Sequence, residues 1–184
     1  MRLLVALALG VIVMNSPAVV AAVPASQAHL RPQDDRLTQL IRDGMSRSAT
    51  FKSLVDRIVA SNVIVYVALN PMMKSNLAGM LTWMTRAGNV RYIRASISPD
   101  LNPNQMIAAI AHELQHAVEV IDDANVNDEK SLVALYRRIG QQSGSASPSR
   151  WETTAAQQAG LQVSKELAEA PPTTLARAGE VGRW

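Results

Sequence analysis

Residues 112 to 116 read His-Glu-Leu-Gln-His, two imidazoles four positions apart with a carboxylate directly after the first. On a helix, positions i and i+4 stand on one face, so His112 and His116 can each aim a ring nitrogen at a single ion at ~2.0 to 2.1 Å. Glu113 falls about 100° around the helix from His112. That offset keeps it off the ligand row but within reach of a water beside the ion, where a general base is needed. The expected metal is zinc, one ion per chain, which lowers the pKa of bound water towards ~7. Glu113 would take the proton and hand it to a leaving group. The pattern uses two of the chain's three histidines.

A catalytic zinc keeps three protein ligands and one open position, so a third ligand is required. Glu119 lies three residues after His116 on roughly the same face, but about 10.5 Å along the axis from His112, which is far for one tetrahedral ion on a straight helix. Glu152 is the expected ligand. Read as part of a helix beginning near Arg150, it lines up with the apolar stripe Ala156, Ala159, Val163 and Leu167, and a carboxylate on an apolar face is costly unless paired or bound to a metal. The competing reading makes it a first-turn acid favoured by the helix dipole. Glu129 begins another inward stripe, with Leu132, Val133 and Tyr136, but stands beside Asp128 in a first turn and is held in reserve.

The motif His112-Glu113-Leu114-Gln115-His116, followed on a later helix by Glu152 with Ala155 and Ala156 behind it, resembles the gluzincin group of zinc metallopeptidases. The resemblance covers these two helices, and its first motif is the more specific. It implies a peptide or protein substrate held in extended form along a strand edge beside the active-site helix, and makes the strand Val90 to Ser98 the expected edge. It also implies a Tyr or His that stabilises the oxyanion; Tyr136 has the right chemistry, although its spacing with Leu132 and Ile139 is that of a core residue. His29 stands in a loose lead and is expected to be uninvolved. Asp122 occupies the place of the third ligand in the metzincin pattern, but that pattern turns the chain on a glycine where this one has Glu119.

The elements that must position these groups can be read from periodicity. Leu37, Leu40, Ile41 and Met45, then Leu54, Val55, Ile58 and Val59, recur at helical spacing and predict two short helices broken near Ser46 to Thr50. Val63 to Leu69 is an unbroken, largely β-branched run that predicts a buried strand. The segment Gly79 to Thr85 fits a helix or a strand; the turn residues Arg86 to Asn89 and the strand-like Val90 to Ser98 favour a β-hairpin. Pro99 to Asn104 carries helix-start chemistry, and the motif helix runs from about Pro103 to Asp122. Ile107, Ile110, Ala111, Leu114, Val118 and Ile121 form its buried stripe, with the histidines opposite over a cleft floor. A helix over Asp128 to Ile139, a loop over Gly140 to Ser149 and a final helix to about Ala168 complete the body. The expected fold is α+β: amino-terminal helices, a small sheet of about three strands, then the zinc helix and two carboxy-terminal helices.

The whole chain has 184 residues, of which 48% are apolar and 18% charged, a balance that supports one folded domain over disorder. Its domain is placed at 34–170, after a signal peptide at 1–22 and a linker at 23–33, and before a flexible tail at 171–184. Arg2 supplies the positive start of that signal, Leu3 to Met14 its apolar centre and Val20-Ala21-Ala22 its small-residue cleavage site. The apolar run is shorter than the ~20 residues a spanning helix needs, so a secreted or periplasmic protein without stable membrane insertion is expected. Cysteine is absent, which excludes a disulfide framework. Net charge is +3 with the basic residues scattered, so nucleic acid is not an expected partner. Three functions follow: a zinc-dependent hydrolase cleaving peptide (amide) bonds, a zinc-retaining envelope binding or structural protein that no longer turns over substrate, or a metal-free envelope interaction module that binds a partner through its helices.

Overall fold

The computed structural model describes residues 29–73, 76–143 and 150–170. The signal-peptide reading of 1–22, most of the linker and the tail at 171–184 lie outside the described residues. Within them the fold is α+β, with five helices, a mixed four-stranded sheet and a two-stranded sheet.

The first strand is one the sequence does not announce. Residues Leu30–Pro32 (β1) pair in parallel with Val63–Leu69 (β2), so the end of the supposed linker belongs to the domain. Three residues cannot establish a period, and a proline is tolerated here because β1 is an edge strand. Asp35–Arg47 (α1) and Ala49–Val59 (α2) follow, divided at Ser48, which ends the first helix and caps the second through its side chain. Beyond β2 comes the hairpin Gly79–Ala87 (β3) and Val90–Ile97 (β4), so the ambiguous segment is a strand. Gly88, with φ 57°, takes the first of the two turn positions, the type II′ pattern that only glycine adopts without strain.

The strand order is β1-β2-β4-β3, with β2 and β4 parallel and β3 antiparallel to β4. The expected substrate edge therefore needs correction. Strand β4 is hydrogen-bonded on both sides, and β3 is the edge strand beside it. A one-residue bulge interrupts β3 at Met84, where pairing passes from Trp83 to Thr85.

Asn102 and Gln105 form a reciprocal capping box ahead of Pro103–Asp122 (α3), and Pro103 occupies the first turn, where its missing N–H costs nothing. This helix lies in the middle of the molecule. Ile107, Ile110 and Leu114 join Phe51, Val55 and Ile58 of α2 and Val65, Val67, Ile93 and Ala95 of the sheet in one core. Its opposite face, expected to be a cleft floor, is largely covered. Ala109, Glu113, His116, Ala117 and Val120 are buried too; β3 meets Glu113 at Gly79, while the last helix, Thr154–Glu169 (α5), packs on α3 with Gly160 against Ala108 and His112. Between them Glu129–Ile139 (α4) is capped by Asp128. The expected loop at 140–149 begins with a strand, Gln141–Ser143 (β5), which pairs with Arg150–Glu152 (β6); residues 144–149 lie outside the described residues.

Candidate metal centre

Helix α3 carries His112 and His116 on successive turns, with ring centroids 4.9 Å apart. Glu152 reaches them from a different element than the sequence suggests. It is the last residue of β6, and Thr153, whose side chain accepts from the Ala156 N–H, is the cap of α5. The Thr hydroxyl stops the helix one residue short of Glu152, so the first-turn dipole account of this acid falls away. Glu152 is instead aimed by the strand, and its Oε2 comes within 3.0 Å of His112 Nε2. One donor atom from each of His112, His116 and Glu152 lies within 4.8 Å of the others. Ligands around a tetrahedral ion at ~2.0 to 2.1 Å stand about 3.3 Å apart, so small side-chain adjustments suffice to bind. The group can hold a metal ion.

The group is unevenly buried. The side chains of His112 and Glu152 keep 22% and 29% of their surface exposed, whereas His116 is 5% and Glu113 3% exposed.

Glu113 is the most unusual carboxylate of the set. Its Oε2 is buried with no hydrogen-bond partner. Burial pushes its carboxyl up to about 7, against the opposing pull of the His116 and His112 imidazoles. At His112 burial alone would favour the neutral ring, but Glu152, Glu113 and Glu119 outweigh it and raise the imidazole. Strand β3 fixes the other side of Glu113. A Cβ on Gly79 would stand 2.5 Å from Glu113 Oε1, so only glycine lets the edge strand begin this close to the carboxylate.

Other residues take places that sequence reasoning did not assign. Glu119, weighed there as a rival ligand, contacts His116 itself: its Oε2 is 2.8 Å from Nδ1, and a ring that donates Nδ1–H to this carboxylate has Nε2 bare. The signal was present, since positions 116 and 119 are neighbours on a helix. Tyr136 is buried, packs edge-on to His116 and donates its hydroxyl to the His116 carbonyl at 3.1 Å. That bond occupies the hydroxyl with the backbone and gives Tyr136 a structural part. Asp122 is exposed and paired with Arg57, and Glu129 is exposed, so neither joins the group. His29 contacts the Val63 carbonyl at 3.2 Å, beside β1.

No family model, no curated protein and no solved structure matches this chain.

Proposed function

We propose that this protein is a zinc-dependent hydrolase of gluzincin type that cleaves peptide bonds outside the cytoplasm. In this reading His112, His116 and Glu152 hold one zinc ion, and Glu113 is general base and then general acid. The observation that carries it is the convergence of three donor atoms within 4.8 Å beside a buried carboxylate whose Oε2 has no hydrogen-bond partner. A purely structural zinc takes four protein ligands and has no use for such a neighbour. Carboxylates that gather with imidazoles in a partly buried site also suit a cation better than an apolar ligand.

Zinc, when bound, supplies Lewis acidity towards a carbonyl oxygen and acidifies water to a pKa of ~7. The chain does the rest. Glu113 is poised near neutrality by burial, so its carboxylate can accept a proton from the attacking water at pH 7 and return it to the leaving nitrogen. Glu119 keeps the His116 ring in one orientation throughout. Edge strand β3, which starts against Glu113, offers its outer edge to an extended peptide, as strand addition requires. It replaces β4 as the substrate strand. Export rests on the signal-peptide reading of residues 1–22.

A mixed library of internally quenched peptides, incubated with zinc-loaded protein, tests this reading. Cleavage should stop with a chelator, return with zinc, and fall roughly 100- to 10,000-fold in Glu113→Gln. Folded, zinc-loaded protein that cleaves no peptide would leave the non-catalytic zinc-retaining account in its place.

A further inference from the structure

We propose that Glu119 is a positioning residue that ties two of the metal-binding side chains together, holding His116 through one oxygen and the backbone that carries Glu152 through the other. This deepens the zinc-site reading above and rests on it.

The geometry is that of a bridge. Glu119 Oε2 receives the His116 Nδ1–H at 2.8 Å, and Glu119 Oε1 receives the Thr153 hydroxyl at 2.5 Å. Thr153 has one proton to give and gives it to Glu119, while its oxygen accepts the Ala156 N–H at 3.1 Å. The hydroxyl rotor is thereby fixed from both sides. Thr153 is 4% exposed and directly follows Glu152, so the strand end that aims Glu152 is anchored to α3 through this carboxylate as well as through the Glu152–His112 contact. Only 9% of the Glu119 side chain meets solvent, which leaves little water to compete for either oxygen.

Two consequences follow for metal binding. In water a neutral imidazole exchanges between tautomers; a carboxylate at Nδ1 selects the form with a bare Nε2, the form that can ligate. In addition, Glu152 arrives on β6 and His116 on α3, and Glu119 bridges the two beside the direct Glu152–His112 contact. Glu119 makes the two ligands one preorganised unit. A purely structural brace would hold α5 against α3 without selecting a tautomer, and the two are separable by experiment.

The test is made on the full chain with two readouts. Nitrogen-15 spectra of the metal-free protein report the His116 tautomer, and competition with a chromophoric chelator reports zinc affinity. Wild-type protein should show Nδ1–H, and Glu119→Ala should lose that preference and bind zinc about 10- to 100-fold more weakly. Glu119→Gln keeps an acceptor for Nδ1–H but lacks a second one for Thr153; it should retain the tautomer and bind zinc with intermediate affinity. Thr153→Ser should match wild type, and Thr153→Ala should weaken zinc with the tautomer unchanged. An unchanged tautomer in folded Glu119→Ala, or zinc affinity within about twofold of wild type, overturns the proposal. If that variant fails to fold, wild-type affinity in Glu119→Gln overturns it instead. Zinc binding that follows Glu119 without any peptide cleavage would refute the hydrolase reading alone, whereas cleavage with affinity indifferent to Glu119 would refute the tie alone.

Discussion

Glu113 sits where a carboxylate is costly, and its surroundings are shaped to keep it there. Gly79 presses on it from β3, so adding a single methyl group forces the carboxylate to move. Gly79→Ala should therefore leave zinc content at the wild-type level while kcat falls roughly 10- to 100-fold, the cost of displacing a reacting group by about an ångström. Wild-type kcat in a folded Gly79→Ala protein would count against Glu113 as the base. A second consequence concerns stability. A buried carboxyl pushed up to about 7 keeps its proton in the folded state, so it opposes folding increasingly as pH rises from 4.5 through 7. Metal-free Glu113→Gln should accordingly melt higher than wild type at pH 8 and close to it at pH 4, and an unchanged Tm at pH 8 would contradict the burial argument. At this scale the sequence is legible where spacing alone determines proximity. His112, Glu113 and His116 follow from helical periodicity, and so would Glu119 beside His116. Gly79 could not be foreseen, because nothing local relates a strand's first residue to a side chain 34 positions later.

Elements hold the site through their ends. Arg91 of β4, buried in the core, donates to the carbonyls of Val120 and Asp123 and so closes the carboxy-terminal end of α3. At the other side of the molecule α1, α2 and α5 are fastened reciprocally. Arg47, the last residue of α1, donates to the carbonyls of Leu167 and Ala170 at the end of α5, while Glu166 of α5 accepts from the Ser48 and Thr50 hydroxyls and the Thr50 N–H at the start of α2. Burial would raise the Glu166 carboxyl, but these bonds, with one from Gln162, bring it down from 4.5 to about 2. A group depressed in the folded state stabilises above its unfolded pKa and loses that contribution as pH falls towards the folded value. Glu166→Gln should thus lower Tm at pH 6 by the equivalent of about 1 kcal/mol after solvent screening. The gap from wild type should close as pH falls from about 5 to 2; a gap that persists at pH 2 would contradict the assignment. Element types were readable from periodicity in α3 and β2, whereas β3 fitted a helix or a strand until the turn residues after it were considered. Element ends were not readable: Glu152 was placed in a helix because apolar spacing from Ala156 onward extends back to it, and only the Thr153 cap decides that the helix starts later.

For the whole molecule, topology decides what the site can meet. The sequence shows two strands beside a hairpin turn but not their order, since parallel pairing of β2 with β4 is a long-range choice that no local pattern encodes. That choice puts β4 inside the sheet and β3 at its edge, next to Glu113. Packing of α5 and β3 on α3 is likewise non-local, and it leaves Glu113 and His116 buried where an open cleft floor was expected. Among the described residues no helix is long and apolar enough to cross a membrane. His112, His116 and Glu152 together can hold a metal ion. The direct test is zinc content per folded chain after equilibration with excess zinc and removal of the unbound metal, measured for wild type, His116→Ala and Glu152→Gln. One zinc per wild-type chain, lost in His116→Ala and weakened in Glu152→Gln, is the expected result. Folded wild-type protein that retains no zinc would contradict the account at its centre.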